Sequence, residues 1–207
     1  MRMNDKEEQL TLHRYRRLLE VHGQSYKALN WGSREGQYLR FKILAEIGQL
    51  EGKSILDVGC GLGDFAEWLA QNNIRTDYTG LDITPGLLAL ARKNYPRLKF
   101  VEGSILDEAL LIGRQFDFVF ASGIFYSYKT GGEAWLRMAV ARMWGLCNEG
   151  VAFNSLSAWT DCYDIDEYYA DPSAIVAYCR TLTPWLTMRH DYHPRDFTVY
   201  LSRKVRE

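Results

Sequence analysis

Ile55-Leu56-Asp57-Val58-Gly59-Cys60-Gly61-Leu62-Gly63-Asp64 decides how the rest of this chain is read. Ser54 to Val58 is a short apolar strand. It opens into a turn with three glycines, and Phe65 to Gln71 follows with helical periodicity. Glycines at a strand-to-helix turn remove Cβ atoms, so the backbone bends sharply and a ligand can approach it closely. The next strand, Tyr78 to Ile83, carries Asp82, 19 positions after Gly63, where a carboxylate can accept both hydroxyl hydrogens of a ribose.

Working outward, the elements alternate. Pro85 to Asn94 is a helix with proline at its start. Lys99 to Val101, Phe116 to Ala121 and Val151 to Leu156 are strands, and Glu133 to Leu146 is a helix. Continuously apolar strands alternating with helices predict an α/β fold, a doubly wound, mostly parallel sheet covered on both faces. After a helix from Pro172 to Leu182 the alternation breaks. Trp185 to His190 and Phe197 to Ser202 are separated only by a turn, so they predict an antiparallel hairpin closing a seven-stranded sheet. Two helices precede the sheet, Lys6 to His22 with a stripe of Leu10, Tyr15, Leu18 and Leu19, and Ser33 to Ile47.

Composition narrows the function. The 207 residues are 47% hydrophobic and 25% charged, with a net charge of −1, which suits a single domain and lacks the basic excess of phosphate binders. A nucleic-acid partner is therefore disfavoured. The expected division is one domain over residues 1–207, with residues 1–50 as a helical cap and 51–207 as the α/β core. Four scattered cysteines make no metal or redox pair. The charged N-terminal stretch lacks a signal sequence, and no apolar run reaches the ~20 residues needed to span a bilayer. A cytoplasmic protein with free thiols, no metal and no membrane association is the expectation; oligomeric state is left open.

The loop itself discriminates between ligands. A dinucleotide fingerprint needs a third glycine where Asp64 stands, and a carboxylate there would face a pyrophosphate. A ligand with a ribose, an adenine and a zwitterionic tail suits the loop better.

ILDVGCGLGDF (55–65) resembles the first motif of the class I S-adenosylmethionine-dependent methyltransferases, and GLDITPGLLALAR (80–92) their second. VEGSILD (101–107) and FDFVFASGIF (116–125) are similar to the third and fourth. The resemblance implies the Rossmann-like methyltransferase fold, S-adenosyl-L-methionine as cofactor, and methyl transfer. It also implies cofactor contacts from Asp57, Gly59, Cys60, Gly61, Gly63, Asp82, Ile83, Ser104, Ile105 and Ser122. Ser104 stands where the family often has aspartate, with the Ile105 backbone beside it. Arg40, or Gln37, would reach the cofactor's carboxylate from the helix before the first strand.

In such sheets ligands bind beyond the carboxyl ends of the parallel strands. The loops there supply Trp31, Tyr126, Tyr163, Tyr168, Tyr192 and Arg195 as acceptor contacts, and His190 and His193 as groups able to take a proton near neutrality. Ser122-Gly123-Ile124-Phe125 stands where nucleobase amine methylators carry a Pro-Pro pair, and the paired-glutamate loop of protein arginine methylators is missing. A small-molecule acceptor is left, methylated on O, N or C. The alternatives are a non-catalytic cofactor-binding or assembly protein of the same fold, and an NAD-dependent oxidoreductase.

Overall fold

Seven strands form one sheet in the order β3-β2-β1-β4-β5-β7-β6 in the computed structural model, which describes residues 5–205. The strands are β1 Ser54–Val58, β2 Asp77–Asp82, β3 Lys99–Glu102, β4 Phe116–Ala121, β5 Cys147–Leu156, β6 Leu186–Arg189 and β7 Asp196–Ser202. β1 to β5 pair in parallel, whereas β7 runs antiparallel to both β5 and β6. This is the parallel sheet with a closing hairpin that the periodicity predicts. The outermost residues of the expected domain, 1–4 and 206–207, lie outside the described residues.

Side chains alternate across a strand, so each strand feeds two cores. Ile55, Phe118 and Phe120 pack against Phe41 and Leu44 of α2 (Arg34–Ala45) and Phe65 and Leu69 of α3 (Asp64–Gln71). Leu56, Val119 and Ala121 point the other way. They meet Leu136, Ala139 and Val140 of α5 (Gly132–Leu146) and Ile175 of α6 (Pro172–Leu182). Each fully buried Leu, Val or Phe contributes roughly 1.5–3 kcal/mol. α4 (Pro85–Asn94) connects β2 to β3.

The N-terminal segment differs from its expected packing in one respect. In α1 (Asp5–His22) Leu10 is 53% exposed and is no part of an inward stripe. Thr11 is the buried residue there, with Tyr15 one helical turn on. A 3-10 turn, Tyr26–Leu29, leads into α2. That helix starts later than the periodicity suggests because Ser33 is its cap: the Ser33 hydroxyl accepts the Gly36 N–H at 2.9 Å. β5 starts at Cys147, four residues ahead of Val151. Asn148 and Glu149 break the apolar pattern at this end, where the pairing with β4 is irregular between Phe116 and Phe118.

Candidate active site

The turn between β1 and α3 is held by its own backbone. The N–H groups of Gly59 and Cys60 both donate to the Leu81 carbonyl, at 2.7 and 3.1 Å, tying the loop to β2. Gly59 and Gly61 adopt φ of +75° and +53°, the left-handed region that costs an L-residue roughly 1–2 kcal/mol. A Cβ on Gly59 would lie 2.2 Å from Ile124 Cγ2, and one on Gly61 2.7 Å from Leu29 Cδ2. The loop is therefore clamped between the exit of β4 and the 3-10 turn.

Asp82 closes β2 beneath this loop. One carboxylate oxygen accepts the Gly61 N–H and the other the Thr84 N–H, both at 2.8 Å. Thr84 occupies the cap position of α4 but its side chain makes no capping bond, and its own N–H is tied to Asp82. Losing the carboxylate would orphan two buried donors at about 1–3 kcal/mol each. Burial raises the Asp82 carboxyl above its ordinary range, against the lowering pull of the Gly61 and Thr84 N–H groups.

Two more carboxylates stand close by. Asp57, on β1, is buried and accepts the Tyr78 hydroxyl at 2.6 Å. Burial pushes it up to about 7; the Tyr78 hydrogen bond opposes this, and the charges of Asp82 and Asp64 add to it. Asp64, the first residue of α3, is held by Arg34 at 3.0 Å and by the Gln37 amide at 2.8 Å, which docks α2 onto the loop.

Asp57, Asp64 and Asp82 together line one cavity. Asp57, Gly59, Cys60, Gly61, Asp82, Ile83, Ser104, Ile105 and Ser122 all lie in its wall, as does Gln37. Gly63 is behind the wall, its α-carbon facing Tyr95. Among the described residues no lysine or arginine lines it. The donor set, three carboxylates with an apolar slot of Ile83, Leu87 and Ile105, therefore fits a ribose, an adenine and a cationic tail, and repels a pyrophosphate.

A second cavity adjoins the first and shares Leu29, Trp31 and Gly123 with it. Trp31 is the partition. Its ring edge lies against Gly123, where a Cβ would come within 2.6 Å of Cζ2, and the Arg40 guanidinium sits 5.2 Å from the ring centre. Arg40 lines this second cavity and not the first. It pairs with buried Asp196 and donates to the Gly36 carbonyl at 2.7 Å. Tyr126, His193 and Arg195 also line it.

The antiparallel β7 explains this gathering. Asp196 is its first residue and pairs with Leu156, the last of β5, so the turn before it reaches the carboxyl edge of the parallel strands. His193 Nδ1 accepts the Arg195 backbone N–H at 3.2 Å and lies 2.8 Å from Asp196 Oδ2. Burial lowers His193 below the ordinary histidine range, and the charges of Arg40 and Arg195 lower it further against the pull of Asp196.

The other residues singled out in the sequence lie elsewhere. His190 lines neither cavity: its Nε2 is 2.7 Å from the Ser157 hydroxyl, and its ring stacks on Trp159. Tyr163 is exposed and donates to the Ala158 carbonyl. Tyr168 lies flat on Gly132, and the Tyr192 hydroxyl is 2.8 Å from the Thr198 hydroxyl. Conversely, Thr11 and Tyr15 of α1 roof the first cavity, and the Tyr15 hydroxyl is 3.0 Å from that of Tyr126. Their i, i+4 spacing is the only signal in the sequence that puts them on one helix face.

Known proteins share this arrangement. The methyltransferase domain family matches residues 55–150. A protein of Mycobacterium tuberculosis described as a methyltransferase, Rv1506c, is 31% identical over 159 residues, 72% of this chain and 93% of that protein. A trans-aconitate 2-methyltransferase of Afipia carboxidovorans is 33% identical over 98 residues, 43% of this chain and 38% of that enzyme. Among solved structures, magnesium protoporphyrin IX methyltransferase from Synechocystis PCC 6803 with bound S-adenosylhomocysteine superposes with a TM-score of 0.69 over 96% of this chain and 100% of that one. At 13% identity that likeness is one of fold.

Proposed function

The chain belongs to the class I S-adenosylmethionine-dependent methyltransferases, and from that premise we propose that it methylates a small-molecule acceptor seated in the second cavity. The observation that carries the proposal is the adjacency of the two cavities, which share Leu29, Trp31 and Gly123 in their linings, so that Trp31 alone need shift for two ligands to meet. S-adenosylmethionine, when bound, supplies a methyl group already activated by the positive charge on its sulfur.

In this reading Asp82 takes the ribose hydroxyls and the glycine loop backs the methionine tail. The Ile83, Leu87 and Ile105 slot holds the adenine, with Ser104 and Ser122 at its edges. Arg40 acts on the acceptor side, through Asp196, while Gln37 is left as the polar side chain nearest the cofactor's carboxylate. Tyr126, Arg195 and Trp31 contact the acceptor, and His193 is the proton acceptor. Holding acceptor and methyl in line supplies much of the rate, and the base adds to it where the acceptor must lose a proton. Three carboxylates in the lining of the first cavity, of which only Asp64 has a cation beside it, speak against a nicotinamide dinucleotide.

We further read residues 1–207 as one domain, residues 1–50 capping the core, on the strength of Thr11, Tyr15 and Gln37 reaching into the cavity wall. Four unbridged cysteines suit a reducing cytoplasmic setting. Among the described residues no helix is long and apolar enough to cross a membrane.

The test is transfer of labelled methyl into a cell extract. Label passing an ultrafiltration membrane with the metabolites supports the reading. Label retained on protein or nucleic acid refutes the small-molecule acceptor.

Asp57 gives a second prediction. Because burial lifts its carboxyl from 3.8 to about 7, the empty folded chain holds a proton that the unfolded chain has lost. That contribution to stability is present below 3.8 and declines as pH rises through about 7. A cationic ligand tail favours the ionised form, so S-adenosylhomocysteine binding should release protons near neutrality and tighten as pH rises. Calorimetry at about pH 6.5 in phosphate and in Tris should then give different heats. Equal heats, or a difference that survives Asp57→Asn, would contradict this role.

A further inference from the structure

Trp31 stands between the two cavities, yet little holds it there. The edge of its six-membered ring lies on Gly123, whose missing side chain makes the seat: a Cβ would come within 2.6 Å of Cζ2 and 2.9 Å of Cη2. The seat itself is fixed. Gly123, at φ +67°, donates its N–H to the side chain of buried Asn154 at 2.8 Å. Arg40, over the ring, is fixed as well, by Asp196 and the Gly36 carbonyl.

The ring is the part able to move. It is half-buried, and its indole N–H makes no hydrogen bond among the described residues. Its contact with the Arg40 guanidinium is a cation–π attraction, weak where water reaches the ring. The link that carries it starts at Asn30, already in the left-handed region at φ +61°. It passes through Gly32, which has no heavy atom within 4 Å of where a Cβ would stand, and ends at Ser33, the cap of α2. Room to turn lies on the side of the second cavity, whose lining includes Asn30, Gly32 and Ser33. Because Ser33 caps α2, such a turn stops short of the helix that docks on Asp64 through Gln37.

We propose that Trp31 is the gate through which the acceptor reaches the methyl group, and this rests on the reading of the first cavity as the cofactor's and the second as the acceptor's. With the ring on Gly123 the cavities are parted. With the ring swung off Gly123 they join, and the acceptor occupies the space that the ring has left. Trp31 is thus a positioning residue that selects acceptors by shape. Only a molecule able to take the ring's place beside Gly123 comes into line with the methyl group.

The probes are two analogues of S-adenosylmethionine with nitrogen in place of sulfur, one carrying a methyl on that nitrogen and the other a benzyl arm. Calorimetry on the full chain gives the affinity of each. In the wild-type chain the benzyl arm must displace the ring. Trp31→Ala, or Trp31→Leu if the alanine variant melts early, should therefore raise the affinity for the benzyl analogue relative to the methyl analogue by ~10-fold or more, the scale of a reorganisation no longer required. Trp159→Ala, whose ring lines neither cavity, should leave that ratio as it is. In wild-type chain carrying 5-fluorotryptophan, the Trp31 fluorine signal is identified by its loss in Trp31→Phe. With the benzyl analogue it should take a position that the methyl analogue does not produce. A ratio unchanged in both Trp31 variants, or a Trp31 signal that is the same with either analogue, overturns the gate. Failure of the wild-type chain to bind the methyl analogue overturns the cofactor reading of the first cavity instead.

Discussion

Gly61→Val is expected to lower affinity for S-adenosylhomocysteine by ~100-fold or more, about 2.8 kcal/mol, in a chain that still folds. Three effects add. A β-branched residue is forced to φ +53°. Its Cβ starts 2.7 Å from Leu29 Cδ2, so the Leu29 side chain, a wall of the cavity, must shift. Relief of the backbone strain moves the Gly61 N–H away from Asp82, the residue that closes the pocket floor. Calorimetry measures the affinity, and a circular dichroism melt follows the fold. Gly52→Val is the control, because Gly52 has φ +75° and open space around it. It should lose stability through the same backbone strain and keep its affinity. Normal binding by Gly61→Val would remove the glycine loop from the cofactor site.

His193→Ala is expected to reduce kcat by ~10²-fold or more, the usual scale of a lost general base, with S-adenosylhomocysteine affinity within about twofold of wild type. The side chain faces only the acceptor cavity, so cofactor binding should not report its loss. The pH profile gives the sign. The base works when unprotonated, and burial, Arg40 and Arg195 depress its pKa below the ordinary 6.5 against Asp196. Turnover should therefore hold through neutrality and fall only on the acid side of 6.5. Arg40→Gln removes one of the depressing charges and frees Asp196, which should move that acid limb to higher pH. His190→Ala loses its contact with Ser157 and its stack on Trp159, and should cost stability more than turnover. A His193→Ala enzyme with full kcat would leave positioning as the source of rate.

The elements that could be read from the sequence are those built by neighbours along the chain. The glycine turn, the carboxylate at the end of β2 and the apolar strands around them are local patterns, and their order sets the parallel sheet. The closing hairpin could be read because Pro194 and its neighbours leave no room for a helix between β6 and β7. The rest depends on where distant segments meet. Arg40 sits on the helix that covers the cofactor loop, and its sequence position says nothing of Asp196, 156 residues away, with which it pairs. Tyr15 belongs to the apolar stripe of its helix, but Thr11 is a polar residue on a charged helix, which a search for apolar stripes passes over. The tyrosine-rich loop after β5 is the reverse case. Its composition advertises a pocket, yet Tyr163 packs on the loop itself and Tyr168 on Gly132. His190 and His193 are indistinguishable as letters. The antiparallel register of β7 separates them by giving one a carboxylate partner at the cavity and the other a serine outside it.

The insertion of β7 between β5 and β6 has an engineering consequence. The loops that line the first cavity leave β1, β2, β3 and β4, while the turn that brings His193 and Arg195 to the second belongs wholly to the β6–β7 hairpin at the far edge of the sheet. That hairpin is an exchangeable cassette. A turn grafted from another enzyme of this architecture need only preserve the Leu156–Asp196 register and a partner for Arg40 in order to redirect the chemistry. Varying residues 190–195, with Asp196 kept, would then change one wall of the second cavity while leaving the first cavity untouched.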